Sequence, residues 1–150
     1  MVYVAFVIDV FARKIVGWRV ATSMTTGFVL DALNQAICQR APSGADKLIH
    51  HSDRGVQYAS WAFRKLLDAH GIAGSMSRKG DCWDNAVVES FFGSLKSERV
   101  HWRSYQTREE ARADILQYVT MFYNSHRLHS YLGYQSPNDF EQNGPLANAA

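Results

Sequence analysis

Residues 2–8 read VYVAFVI, a run without a charged side chain. A strand with one face in water alternates apolar and polar residues, and this run does not. It is therefore read as a strand buried on both faces. Residues 14–21 (KIVGWRVA) make a second strand after a break at 9–13, so the two are expected to form an antiparallel hairpin. A strand of the first kind belongs inside a sheet, where both of its edges need partners. Only one such partner follows it in sequence.

The later elements alternate in type. Thr25 or Thr26 caps a helix to about Arg40, with Val29, Leu33 and Ile37 as one apolar stripe. Residues 47–51 (KLIHH) read as a short strand, followed by a turn at Ser52-Asp53-Arg54-Gly55. Ser60 caps a second helix that buries Phe63, Leu66 and Leu67, and Gly71 suits its left-handed close. Residues 72–77 make the last strand, residues 78–83 (RKGDCW) a basic mobile loop, and Asp84 caps a helix from about Asn85 to Val100. Thr107 and Glu110 make a capping box for a helix carrying Ala111, Ile115, Tyr118, Val119 and Phe122. Tyr134-Gln135-Ser136-Pro137 reads as a turn, and residues 142–150 as a disordered tail. The expectation is one α/β domain over residues 2–141, a mixed sheet with flanking helices.

With 150 residues, 47% of them hydrophobic, the chain can build a substantial core and is not of disordered composition. Sixteen Lys and Arg against 14 Asp and Glu leave a net charge of +2, so placement of charge must carry any nucleic-acid binding. Cys38 and Cys82 are far apart, which argues against a zinc site or a disulfide framework. No run approaches the roughly 20 apolar residues of a membrane helix. A soluble, cytoplasmic protein without a membrane partner is expected.

Two acidic residues stand out. Asp53 follows the end of a strand, where open α/β sheets place ligand sites, although Ser-Asp-Arg-Gly is equally good turn chemistry. On the 85–100 helix, Asn85, Glu89, Phe92 and Lys96 share one narrow face, beside an apolar face of Val87, Val88, Phe91 and Leu95. Periodicity alone does not separate that pattern from an ordinary amphipathic helix. Asp53 and Glu89 are 89 − 53 = 36 positions apart, with 35 residues between them.

At this spacing the chain resembles the D-D-35-E transposases of bacterial insertion sequences and the related retroviral integrases. The likeness is carried by H-S-D-R-G-V-Q-Y, G-D-C-W-D-N-A-V-V-E-S-F-F-G-S-L-K-S-E and Y-N-S-H-R-L-H-S-Y-L-G-Y-Q-S-P, and it runs from Val2 to about Glu141. The resemblance implies a ribonuclease H-like fold and a two-metal mechanism with Mg²⁺ or Mn²⁺. By the same resemblance Asp53 and Glu89 are metal ligands, and Lys96 contacts DNA near the scissile phosphate. Arg78, Lys79, Arg99 and Arg103 add phosphate contacts, and a solvated surface is the plain alternative for each. The partners implied are DNA (element ends and target) and a homo-oligomer or a full-length transposase. His50 and His51 are not implied as ligands, one packing in the strand and the other facing solvent. For the Y-N-S-H-R-L-H stretch the residues indicate helix capping, or contact with DNA or another subunit.

The sequence departs from the family in one place. The family carries a third carboxylate on a central first strand, ahead of the hairpin that opens this chain. Asp9 is expected to be structural, bracing the hairpin turn or pairing with Arg13. The chain is therefore read as missing its first central strand, with unpaired strand edges, poor stability and weak or no activity of its own. Two other functions stay open: a non-catalytic DNA-binding or oligomerisation module derived from a transposase, and a ribonuclease H-like nuclease of another type.

Overall fold

The computed structural model describes residues 3–23, 25–42, 48–52, 60–76, 86–100 and 103–143. Strands β1 (Tyr3–Asp9) and β2 (Lys14–Ala21) form the expected antiparallel hairpin. Asp9 builds its turn: Oδ1 accepts the backbone N–H of Phe11 at 2.9 Å and of Ala12 at 3.2 Å. Arg13, at φ 58°, takes the left-handed conformation that sends the chain back. The unbroken apolar run of β1 has its reason in what covers it. Tyr3, Ala5 and Val7 pack into one hydrophobic cluster, and Val4, Phe6 and Ile8 into another. On β2 the alternation slips, because the ladder pairs Ile8 with Ile15 but Val7 with Gly17 and leaves Val16 as an extra residue. This bulge lets Ile15, Trp18 and Val20 share the second cluster despite their mixed parity.

Helix α1 (Thr26–Arg40) lies against the hairpin, started by Thr25 Oγ1, which accepts the N–H of Phe28 at 3.3 Å. It buries Val29, Leu33 and Ile37 as expected. It also comes so close to β2 that a methyl group at Gly17 would overlap the Ala32 carbonyl oxygen. The backbone groups of β2 that β1 does not take are met by side-chain amides. Gln35 Oε1 accepts the N–H of Trp18 at 2.9 Å. Buried Asn124 takes both groups of Ile15: its Oδ1 accepts the N–H and its Nδ2 donates to the carbonyl, each at 2.9 Å.

Strands β3 (Ile49–Ser52) and β4 (Ala73–Met76) form a separate parallel pair. Helix α2 (Trp61–Ala69) links them, capped by Ser60 and buried through Phe63 and Leu67, and Gly71 closes it at φ 67°. His50 packs its ring edge-on against Phe63 at 5.3 Å, and His51 is exposed. Antiparallel and parallel pairing are thus both present, as expected. They do not join into one sheet: the order is β1-β2 and β3-β4. Between β1 and β3 runs an apolar groove of about 500 Å³, walled by Phe6, Val7 and Ile8 on one side and Leu48, Ile49 and His50 on the other. It lies where unpaired strand edges are expected.

Helix α3 (Ala86–Glu98) covers the other face of the hairpin through Phe91 and Leu95, with Phe91 only 4.2 Å from Phe6 between ring centroids. Helix α4 (Arg108–Gln117) starts at the expected cap, with Thr107 Oγ1 accepting the N–H of Glu110 at 3.1 Å. The returning bond differs, because Glu110 Oε2 accepts the N–H of Gln106 instead of that of Thr107. From α4 the chain passes directly into a π-helical turn, Tyr118–Tyr123, which turns Tyr118, Val119 and Tyr123 inward. After a short 3₁₀ turn at Ser130–Leu132, helix α5 (Pro137–Asn143) begins where the sequence reads as a turn. It continues two residues past the boundary expected at Glu141, and residues 144–150 lie outside the described ones.

An ion cluster ties α5 to the hairpin. Arg40 bonds Glu141 and lies 3.3 Å from Asp9, and Lys14 reaches Glu141 at 3.2 Å. Asp9 therefore braces the turn as expected, but its cation is Arg40 and not Arg13. Burial acts to raise the Glu141 carboxyl, and the bonds and charges of Arg40 and Lys14 outweigh it and hold the group below its ordinary range.

Two predictions follow from these contacts. Asn124→Ala leaves two buried groups of Ile15 unpaired and is expected to cost about 1–3 kcal/mol for each, read as a lower urea midpoint. Glu141 is held low in the folded state, so its contribution is present above the unfolded value and lost as pH falls through the folded one. Glu141→Gln is expected to lower the urea midpoint near neutral pH, with the gap to the parent closing as pH falls below the ordinary carboxylate range.

Candidate active site

Glu89 stands in the first turn of α3 and Lys96 in its last. Both placements favour the helix dipole, which is a sufficient structural reason for a carboxylate and an ammonium there. Both side chains are exposed and neither forms an ion pair with a described residue. Val87 and Val88, from the same turn as Glu89, line the groove between β1 and β3. Strand β3, across that groove, ends at Ser52, one residue before Asp53. Asp53, Arg78 and Lys79 lie outside the described residues. Among the described residues, no three Asp, Glu, His or Cys side chains gather as a metal cage. On the turn beside the groove, Glu89 is the described carboxylate without an ionic partner, and by itself it does not complete a site.

His50 also lines this groove. Burial, and then the neighbouring His51, lower its imidazole to about 4, so it is neutral at physiological pH. A neutral ring packed on Phe63 fits a wall residue.

Arg99 and Arg103 are engaged elsewhere. Their Nη1 atoms reach Asp114 Oδ1 at 2.8 and 2.7 Å, and the Tyr105 hydroxyl donates to Oδ2. Asp114 is buried at 8% exposure, so one carboxylate orders two guanidiniums and leaves that corner with an excess positive charge. Burial, and then the bond to Asp114, push the Tyr105 phenol up to about 12, so it stays a donor. At the end of α3, Glu98 accepts the Tyr118 hydroxyl at 2.7 Å and pairs with Arg127 at 3.0 Å. The sequence reading missed Asp114, although a signal existed: it sits on the stripe of Ala111, Ile115 and Tyr118, where a charge needs a partner. Glu98 carried no such signal.

The chain matches the family described as integrase core domain over residues 1–82, and a second family of the same description over residues 89–144. It is 47% identical over 141 residues to the transposase for insertion sequence element IS629 of Shigella sonnei, covering 94% of this chain and 46% of that one. It is 44% identical over 140 residues to the transposase for insertion sequence element IS904 of Lactococcus lactis subsp. lactis (strain IL1403), covering 93% and 54%. The chain thus spans about half the length of the curated relatives it matches. In structure it is similar to the catalytic core domain of BIV integrase, with a TM-score of 0.66 at 18% identity, over 98% of this chain and 90% of that one. The HTLV-2 integrase catalytic core domain in complex with magnesium (trimeric form) gives a TM-score of 0.61 at 14% identity, over 92% and 91%. At such identities the structural likeness speaks for the fold alone, the ribonuclease H-like fold of integrase catalytic cores. The first family match by itself covers more than half of the sequence, and the chain belongs to the integrase core domain family.

Proposed function

We propose that the chain is the core of a DNA transposase, cutting and joining phosphodiester bonds with Asp53 and Glu89 as two of its metal-holding carboxylates. One observation carries this reading most directly. An exposed carboxylate without an ionic partner among the described residues, Glu89, stands on the turn that lines the groove. The strand facing that turn across the groove ends one residue before Asp53. The relatives at 43–47% identity are all named as insertion-sequence transposases, which supports the same reading. Mg²⁺ or Mn²⁺ held by such carboxylates would activate the attacking hydroxyl and stabilise the leaving oxygen.

The chain's own cations complete the proposal. Lys96 lies two helical turns from Glu89 and takes a phosphate of the bound strand. The corner of Arg99 and Arg103 keeps a surplus positive charge and half-exposes Arg103, which suits a second phosphate. Arg78 and Lys79 are assigned to the same surface from the sequence. The groove between β1 and β3 is the place for a further strand bearing the third carboxylate, within a longer protein. DNA ends, target DNA and other copies of the protein are the proposed partners. Strand edges that meet no strand among the described residues also favour the second reading, a non-catalytic DNA-binding or oligomerisation module.

Metal-dependent nicking and strand transfer separate these readings. With a further strand and its carboxylate supplied from a full-length relative, activity is expected, and Asp53→Ala or Glu89→Ala is expected to reduce it to background while DNA binding persists. Binding without any metal-dependent cleavage would support the second reading. Lys96→Ala is expected to reduce the slope of log affinity against log salt by about one phosphate contact, roughly 0.9.

A further inference from the structure

On the other side of the Glu89 turn from the strand groove is a second cavity, of about 550 Å³, with Val87 and Ser90 of α3 in its wall. The rest of its lining comes from the hairpin turn and from the Tyr123–Tyr134 stretch, whose chemistry the active-site reading leaves unused. Its volume is within the range of small-ligand sites. Its charged side chains are both guanidiniums, Arg13 and Arg127, and its hydroxyl groups can all donate. Arg13 places its guanidinium 4.0 Å from the centroid of Tyr131, and Arg13 Nε is buried without a hydrogen-bond partner. His129 Nε2 is likewise buried and unpartnered. The other ring nitrogen of His129 lies 3.5 Å from Arg127 Nη1, which can only donate, so Nε2 carries the proton. Burial, then the charges of Arg127 and Arg13, lower this imidazole to about 4, so the ring is a neutral donor. Arg127 is matched by Glu98, whereas among the described residues Arg13 has no carboxylate partner and no carboxylate lines the cavity. At the mouth, Tyr131 and Tyr134 are 63% and 71% exposed.

Unpartnered donors and an unmatched guanidinium suit an anion, and exposed rings beside them suit a flat base. We propose that this cavity is a nucleotide subsite for an unpaired stretch of DNA, holding a phosphate on the Arg13 guanidinium and stacking the base on Tyr131 or Tyr134. The proposal rests on the reading of the chain as a DNA-acting core, and deepens it. A base inside a duplex is already stacked and cannot enter, so the subsite selects splayed or single-stranded ends. Its place on the Glu89 turn keeps such an end beside the proposed metal carboxylate.

The test compares two affinities of the 150-residue chain by fluorescence anisotropy: a labelled duplex with a short unpaired end, and a blunt duplex of equal length. The parent is expected to prefer the unpaired end by about tenfold or more. Tyr131→Ala with Tyr134→Ala is expected to bring the ratio of affinities near one. Arg13→Gly is expected to do the same while relieving the left-handed backbone at φ 58°, so misfolding does not explain a loss. Trp61→Ala removes another exposed aromatic, on α2 and outside the cavity, and is expected to leave the ratio unchanged. A parent ratio of one, an unchanged ratio in the cavity variants, or an equal collapse in Trp61→Ala would overturn the subsite and leave the DNA reading standing. A parent that binds neither duplex would overturn both.

Discussion

Backbone hydrogen bonding is the constraint on which this structure depends. A strand buried on both faces has no water to satisfy its edges, so every edge must meet protein. The edge of β2 away from β1 is met by two side-chain amides, from Gln35 and Asn124, acting in place of a further strand. To reach Ile15, Asn124 must be delivered from a segment more than 100 residues away. The π-helical turn before it does this while seating Tyr118, Val119 and Tyr123 in the core. The edges of β1 and β3 that face each other meet no strand among the described residues, and the groove between them is the result.

Charge settles the ends of the helices in the same way that amides settle the sheet. Each of three acids gathers two or more partners. Glu141 joins α5 to Arg40 and Lys14, Asp114 joins α4 to Arg99 and Arg103, and Glu98 joins α3 to Tyr118 and Arg127. Exposed single pairs contribute little to stability, but an acid shared by several donors, as the buried Asp114 is, is ordered by all of them and orders them in turn. Among the described residues the arrangement leaves Lys96 and Arg13 without ionic partners, Lys96 two turns along α3 from Glu89 and Arg13 in the cavity beside the Glu89 turn.

That turn is where the two proposed surfaces meet. Val87 lines both the groove between the strand pairs and the cavity of Arg13 and the tyrosines. One wall is apolar and shaped by strand edges, which suits polypeptide. The other is cationic and aromatic, which suits a nucleotide. The proposed chemistry lies between them.

Much of this was legible in the sequence, and the reason is locality. Caps at Thr25, Ser60 and Thr107, the left-handed Gly71, the hairpin and the apolar stripe of α1 depend on neighbours within a few positions, so their patterns survive in one dimension. The double-sided apolar run of β1 implies that two layers cover it, and helical periodicity placed Glu89 and Lys96 on one face of one helix. What the sequence could not decide was which distant group satisfies which. Asp9 turning to Arg40, Arg99 and Arg103 folding onto Asp114, Asn124 standing in for a strand, and the π-turn that carries it all join elements far apart in the chain. A lone Arg or Asn is compatible with many partners in sequence, and only the packed backbone brings one of them within bonding distance.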